Sequence, residues 1–402
     1  MDDTGRTVVV AGGGYSGVLA ANRLRGKLDR RDRVLLVSQG DGLTQRVRLH
    51  ERAVHGTDVN VPYARLLARG VEHVRGRVLG VDAGRSTLDV ESQPLHYDAL
   101  VLTLGSELRS RIPGASPLAY ALCDEAHALQ LSAALPRIPD GARVLVVGGG
   151  LTAIELASEI AEQYPRLRVE MLAARFADGL TQGSPLPRRA LLEELEQLGV
   201  NVREGVRVRA LEEHAAVLED GTRLECAVAV LASGFSASPL SASFELPRRP
   251  DGRIEVDAQL RVAGVPNVFV AGDLAAPPSA SVGHGLATTR MSCAAAMPMG
   301  AHAADQVVRL LSNQALAPYS FKYAAQCVSI GRRRAVALFV DADDRPTGRL
   351  VRGRRAALIK EGICRMVVGA LRLERWLPGL YTWPRGPMPV KLIASAAEQI
   401  RP

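Results

Sequence analysis

Two short stretches of the chain combine residue types that do chemistry together. Gly12, Gly14 and Gly17 follow the apolar run Thr7-Val8-Val9-Val10-Ala11, and Gly148, Gly150 and Ala153 follow Arg143-Val144-Leu145-Val146-Val147. In such a triplet the first glycine makes a tight turn and the second lets backbone N–H groups approach a pyrophosphate. The third small residue packs a helix on the preceding strand. The pyrophosphate then sits at a helix N-terminus, where unpaired N–H groups and the helix dipole favour an anion. Tyr15, Ser16, Leu151 and Thr152 lie within these turns and are expected to line them. One such turn also occurs in proteins without a ligand, whereas two in strand–turn–helix context point to two bound dinucleotides.

The elements that hold these turns follow from hydrophobic periodicity. Helices through about Leu28 and Tyr164, then strands Arg33 to Val37 and Arg168 to Leu172, complete two βαβ openings. Strand-like stretches from Val71 to Val81, Ser86 to Val90 and Ala99 to Leu104 suggest a small antiparallel insertion before the chain returns to the first sheet. The second unit repeats the pattern, with a helix from Pro187 to Leu198 and strands Val200 to Val206, Ala215 to Leu218 and Val228 to Leu231. Later, Asn267-Val268-Phe269-Val270-Ala271-Gly272-Asp273 reads as a buried strand ending in Gly-Asp, with a small-residue helix from about Thr288 to Leu311. The expected fold is α/β, with two Rossmann-like dinucleotide-binding domains carrying antiparallel insertions and a C-terminal α+β domain.

Composition agrees with a globular protein. In 402 residues, 47% hydrophobic and 23% charged, there is material for several cores, unlike a disordered chain. The 38 glycines have no period, which excludes a collagen-like chain. Cys123, Cys226, Cys293, Cys327 and Cys364 stand far apart, forming no CxxC pair, metal-ligand spacing or dense disulfide framework. That usage suits a reducing cytoplasm and gives no reason to expect a metal. Nothing near Met1 looks like a signal peptide, and no apolar run is long enough to span a bilayer. The net charge of +8 is mostly arginine scattered over helices, a solvated surface, and no motif or aromatic-basic interleaving supports nucleic-acid binding.

The order of these parts resembles the two-dinucleotide-fold flavoproteins: the pyridine nucleotide-disulfide reductases and, more closely, the type II NADH dehydrogenase-like proteins. The likeness covers about residues 7 to 312. Leu102-Thr103-Leu104-Gly105 stands where that family has an apolar strand and Thr-Gly, and Leu231-Ala232-Ser233-Gly234-Phe235 is the second such crossing. The resemblance implies FAD at Gly12 to Gly17 and NADH or NADPH at Gly148 to Ala153, with Gly105 and Gly234 bordering the cofactors. It places Gly272 and Asp273 on the FAD ribityl or pyrophosphate; the alternative for Asp273 is a cap on the following helix. It sets Glu155 near nicotinamide and flavin, to orient a carboxamide or relay a proton; the alternative is an ordinary exposed helix acid. It also implies a division into an FAD-binding domain (1–125 and 251–315), an NAD(P)H-binding domain (126–250) and a C-terminal domain (316–402).

Departures from the family pattern are equally informative. Ser38 and Gln39 replace the acidic residue that usually ends the second strand, so they are expected to hydrogen-bond the FAD ribose. In the second unit Ala173-Ala174-Arg175 lacks an acid at the same place, and a cation there tilts the expectation toward the 2′-phosphate of NADPH. The disulfide reductases carry two cysteines after the second strand, but Leu43 to Glu51 contains none, so a thiol relay finds no residue there. Arg46, Arg48 and His50 occupy that stretch. They can supply positive charge or a proton near the flavin, or simply meet phosphate and solvent.

A C-terminal helix from about Arg354 to Arg372 sets Ile359, Ile363, Met366, Val367 and Ala370 beside Arg355, Lys360 and Arg365, with Trp376 and Trp383 close behind. Such a helix either lies on an anionic membrane or, more ordinarily, packs on its own domain or on a second subunit in a homodimer. The leading expectation is an FAD-dependent NAD(P)H oxidoreductase that passes electrons to a quinone or quinone-like acceptor, cytoplasmic or peripheral to a membrane. Acceptor identity rests on family analogy. The alternatives are a flavin-dependent reductase or oxidase tailoring a specialised metabolite, and a flavin-bound redox sensor with slow turnover.

Overall fold

In the computed structural model, residues 5–108, 112–114, 119–122, 124–278 and 289–386 are described. The near-continuous apolar runs form parallel strands covered on both faces, where alternation is not needed. Thr7–Ala11 lies at the centre of a five-stranded parallel sheet between Arg33–Ser38 and Ala99–Leu102, with Val71–Arg75 and Val268–Val270 at the edges. The second sheet repeats this around Arg143–Val147, flanked by Arg168–Ala173 and Val228–Leu231, with Asn201–Glu204 and Tyr120–Ala121 outermost. Tyr120–Ala121 thus pairs in the second sheet a few residues ahead of position 125.

Each parallel sheet carries a three-stranded antiparallel appendage, Val78–Asp82 with Thr87–Val90 and Pro94–His96, and Val208–Glu212 with Ala215–Leu218 and Arg223–Glu225. This corrects the reading of Val71 to Val81 as one strand of the insertion. The chain turns at Gly76 and Arg77, so Val71–Arg75 extends the parallel sheet and only Val78–Asp82 enters the appendage. In the second unit the expected strand Val200 to Val206 shortens to Asn201–Glu204, which extends the parallel sheet, and the appendage begins only at Val208.

The helices that matter for function are α1 (Tyr15–Lys27), α2 (Leu49–His55), α3 (Glu125–Ala134), α4 (Leu151–Gln163), α5 (Pro185–Gln197), α6 (Cys293–Leu311) and α7 (Arg354–Trp376). Helices α1 and α6 pack closely because Gly300 has no side chain to strike the Ser16 backbone. The C-terminal strands Ala325–Ile330, Arg334–Val340 and Pro346–Arg352 form an antiparallel sheet whose Val328, Ile330, Val336 and Leu338 join the core of the second fold. Val367, Val368 and Leu371 of α7 join the core of the first. Arg23 of α1, 2% exposed, fixes this docking through Glu374 Oε1 at 2.6 Å and the Tyr381 carbonyl. The C-terminal part therefore bridges both dinucleotide folds, and α7 is held over the junction between them.

The two tryptophans part company. Trp383 packs against the first core and donates to the Ser320 carbonyl at 2.9 Å, whereas Trp376 is 73% exposed. On α7, Leu358, Met366, Leu373 and Trp376 recur at helical spacing along one exposed stripe, with arginines alongside. Among the described residues, no helix is long and apolar enough to cross a membrane.

Candidate active site

The glycines of each turn divide into two physical kinds. Gly12 has φ +115°, and a Cβ there would strike the Thr103 carbonyl; a Cβ on Gly17 would strike the Gly12 carbonyl. The fold itself requires these two. Gly14, by contrast, has ordinary extended backbone at φ −76°, and a Cβ there would meet nothing within 4 Å. The second turn behaves alike: Gly148 has φ +148° and abuts the Ala232 carbonyl, whereas Gly150, at φ −89°, faces open space. Ala153 packs behind that turn, 3.3 Å from where a Cβ on Gly148 would lie. A position that is glycine without a local reason, at the N-terminus of a helix, is what close approach of a pyrophosphate demands. The cradles fit the two dinucleotides.

Both turns open into one cavity of about 880 Å³. Tyr15 and Ser16 line it beside Gly14, and Leu151 and Thr152 beside Gly150; Gly105 and Gly234 border it at the ends of their strands. Gly105 and Gly234 have φ of +72° and +106°, conformations only glycine adopts easily. Asp273 also lines the cavity and accepts from Ser106 Oγ at 2.6 Å; Arg46 donates to the Ser106 carbonyl at 2.8 Å and stacks 4.6 Å over Phe235. Gly272, at φ +76°, brings this Gly-Asp turn against Ser16 of α1. Asp273 does not cap α6, whose N-cap is Ser292.

Glu155 is no exposed helix acid. It is 3% exposed, and its Oε1 accepts from Lys360 Nζ at 2.9 Å and from the Ser329 backbone N–H at 3.0 Å; its Oε2 lies 3.7 Å from His50 Nδ1. Burial pushes this carboxyl up, but the Lys360 ammonium and the other contacts outweigh burial and hold it below the ordinary carboxylate range. Burial likewise pulls Lys360 down, and the adjacent carboxylate more than reverses this, so the pair is ionised. His50, fully enclosed, is pushed down by burial against the pull of Glu155 and Glu51, which favours a neutral ring. All three line the cavity.

Three other expected site residues, Arg48, Ser38 and Gln39, do not line it. Arg48 is bound to Glu51 at 2.8 Å and Glu361 at 2.7 Å and does not line the cavity. Ser38 Oγ donates to the Gly40 carbonyl at 2.9 Å and contacts His73, and Gln39 is exposed; neither borders the cavity. Arg175 does border it, 80% exposed and 3.4 Å from Asp178, and the strand before it ends in Ala173-Ala174 without a carboxylate.

The structure adds residues that sequence reasoning passed over. Lys360 comes first, and Ser106 second. A signal for Lys360 was present: among 50 basic residues, only Lys27, Lys322, Lys360 and Lys391 are lysine. Cys293 and Cys327 also line the cavity. Burial pushes the Cys293 thiol up to about 11 and Cys327 in the same direction, so both are protonated thiols. The four described cysteines are free, and Cys123 lies outside the described residues.

With this geometry in hand, comparison with known proteins is specific. Residues 6–300 match the family described as pyridine nucleotide-disulphide oxidoreductase. A NADH dehydrogenase-like protein of Mycobacterium tuberculosis is 31% identical over 362 residues, spanning 82% of this chain and 86% of that one. A type II NADH:quinone oxidoreductase of Staphylococcus aureus is 24% identical over 393 residues, spanning 89% and 94%. The solved sulfide:quinone oxidoreductase of Aquifex aeolicus superposes with a TM-score of 0.78 at 18% identity, covering 93% of each chain, a likeness of fold alone.

Proposed function

This chain belongs to the pyridine nucleotide-disulphide oxidoreductase family and is an FAD-dependent NAD(P)H oxidoreductase, and on that premise we propose that its acceptor is a quinone or quinone-like aromatic. When bound, FAD supplies hydride acceptance from a nicotinamide and transfer of two electrons onward. The chain's own residues arrange the rest. The α1 N-terminus at Gly14 and Ser16 would hold the FAD pyrophosphate, with Asp273 accepting from a sugar or ribityl hydroxyl. The α4 N-terminus at Gly150 and Leu151 would hold that of the nicotinamide nucleotide, with Arg175 beside the adenosine ribose. In this assignment residues 1–125 and 251–315 serve FAD, 126–250 serve NAD(P)H, and 316–402 form the acceptor side.

The buried Glu155–Lys360 pair carries the acceptor reading. A quinone gains negative charge on its carbonyl oxygens and then protons; an ammonium stabilises the first and a carboxyl handles the second. Lys360 has three donors, and Glu155 and the Cys327 carbonyl take two of them, leaving one for an acceptor oxygen. The cavity wall around it, with Met291, Cys293, Ala325 and Ile363, suits a flat apolar ring. The exposed apolar and arginine-flanked stripe of α7 supports peripheral contact with an anionic membrane, where long-tailed quinones reside.

The test is turnover with NADH or NADPH against a panel of acceptors. Water-soluble naphthoquinones and benzoquinones are expected to be reduced, faster in the presence of anionic vesicles for long-tailed homologues. Rapid reduction of the protein by NAD(P)H with no reoxidation by any quinone overturns the acceptor assignment.

A further inference from the structure

Reduction of a quinone by NAD(P)H consumes one proton from water per turnover. The nicotinamide C–H bond breaks to give two electrons and one proton, and two O–H bonds form on the acceptor. The packing of α2 on α4 places ionisable groups where that proton can enter. His50 and His55 stand near opposite ends of α2, and Glu155 and Glu159 lie one turn apart on α4. His50 Nδ1 lies 3.7 Å from Glu155 Oε2, and His55 Nε2 lies 2.6 Å from Glu159 Oε1. The inner pair is 4% and 3% exposed, while the outer pair grades from 0% at Glu159 to 23% at His55.

One atom in each of these pairs is orphaned. His50 Nε2 and Glu159 Oε2 are both buried without a hydrogen-bond partner. Buried polar groups in native proteins are almost always paired, and ordered water is the ordinary partner where no protein atom serves.

We propose that these side chains form a proton inlet from solvent to the acceptor end of the cavity, in the order His55, Glu159, a bridging water, His50 and Glu155. The inlet rests on the acceptor reading above, because only an acceptor that gains protons needs it. Each member receives on one polar atom and releases from another. His55 takes a proton at Nδ1 and passes that on Nε2 to Glu159 Oε1. Glu159 releases one from Oε2 to the water, the water gives one to His50 Nε2, and the Nδ1 proton of His50 moves to Glu155 Oε2. Only O–H and N–H bonds form and break, and the net transfer is one proton.

The surroundings favour this over a fixed ion pair at Glu159. Arg332 approaches Glu159 at 3.6 Å but binds Glu51 at 2.8 Å, and its backbone N–H donates to Glu162 at 2.5 Å. Arg48 shares Glu51, and Lys360 is engaged with Glu155. Burial, aided by Glu51, Glu162 and Glu155 against Arg332, pushes the Glu159 carboxyl up to about 8, so it carries a proton at neutral pH and can release it. His50, kept neutral by burial, retains one nitrogen as an acceptor.

Glu159→Gln keeps the shape and a hydrogen bond to His55 but cannot carry the proton; Glu159→Asp restores a carboxyl. Flavin-loaded proteins are compared on a water-soluble 1,4-naphthoquinone, which takes up protons, and on ferricyanide, which takes electrons alone. Glu159→Gln is expected to slow naphthoquinone reduction by roughly tenfold or more, enlarge its solvent deuterium isotope effect and leave ferricyanide reduction within about twofold, with Glu159→Asp recovering most of the loss. Equal losses on both acceptors, or none on either, overturn the inlet. An infrared titration gives a readout without turnover: a protonated carboxyl signal that fades near pH 8 in the unaltered protein and is missing in Glu159→Gln. A Glu159 ionised throughout the neutral range overturns it too. If the unaltered protein reduces ferricyanide but not the naphthoquinone, the acceptor reading fails, and the infrared signal alone decides whether Glu159 holds a transferable proton.

Discussion

Replacing Lys360 with methionine isolates the buried ion pair it makes with Glu155 in the cavity. Methionine keeps the length and apolar stem but removes the charge, leaving Glu155 at 3% exposure with only the Ser329 N–H at 3.0 Å and His50 at 3.7 Å. Removing one partner of a buried pair costs about 3–5 kcal/mol where the survivor stays charged. Protonation of Glu155 limits this, so a loss of about 3 kcal/mol near pH 8 is the working figure. Over 402 residues unfolding together, that lowers Tm by roughly 4 °C, and by more where a single domain unfolds first. The pH dependence carries the argument. Glu155 is held below its ordinary value of 4.5, so the pair's contribution is present above that pH and is lost as pH falls through the lower folded value. The gap between the two proteins therefore narrows on acidification, toward the roughly 1 kcal/mol owed to the Cys327 carbonyl losing its donor. Differential scanning fluorimetry of both proteins from pH 8 to 3, with the double variant Lys360→Met/Glu155→Gln as control, measures this. A stability gap that does not change with pH, or a double variant no more stable than Lys360→Met, refutes the reasoning.

Other outcomes follow from the same geometry. Gly14→Val and Gly150→Val place side chains in open space on ordinary backbone, so each apoprotein should fold with the Tm of the unaltered apoprotein; Gly14→Val should lose FAD and Gly150→Val should keep FAD but bind NAD(P)H at least about tenfold more weakly, by flavin absorbance and titration. A large drop in apoprotein stability would mean these glycines serve the fold. Arg175→Ala should lower kcat/KM for NADPH relative to NADH by about three- to tenfold, a modest factor because the side chain is 80% exposed; an unchanged ratio removes Arg175 from 2′-phosphate recognition. Replacing Leu358, Met366 and Trp376 with serine should abolish co-sedimentation with anionic vesicles while leaving ferricyanide reduction intact; unchanged sedimentation, or a dimer that dissociates instead, assigns the α7 stripe to another role.

What the sequence made legible was local. The two glycine turns could be read because an apolar run, a turn and a helix lie within some twenty residues, each with its own periodicity. The division of labour among those glycines could be anticipated in kind, and the structure distinguishes Gly12 and Gly17, crowded by backbone, from Gly14 and Gly150, crowded by nothing. Strand assignment failed at Gly76, where two apolar stretches of similar pattern join different sheets, a distinction made by tertiary pairing and invisible to period. The part of the cavity around Glu155 was least legible. Glu155 was singled out, but its partner Lys360 lies on a basic amphipathic helix whose pattern reads as surface, and only the docking of α7 across both folds buries it. Arg48 stands outside the cavity lining for the converse reason: a basic loop looks available until Glu51 and Glu361, one of them far along the chain, are seen to take its charge.

The absorption spectrum of the purified protein, recorded anaerobically before and after NAD(P)H and again after a quinone, tests the central claim most directly. Two near-visible flavin bands that bleach with the nicotinamide and return with the quinone are predicted. A protein that remains colourless after incubation with excess FAD, or whose flavin NAD(P)H leaves oxidised, contradicts it.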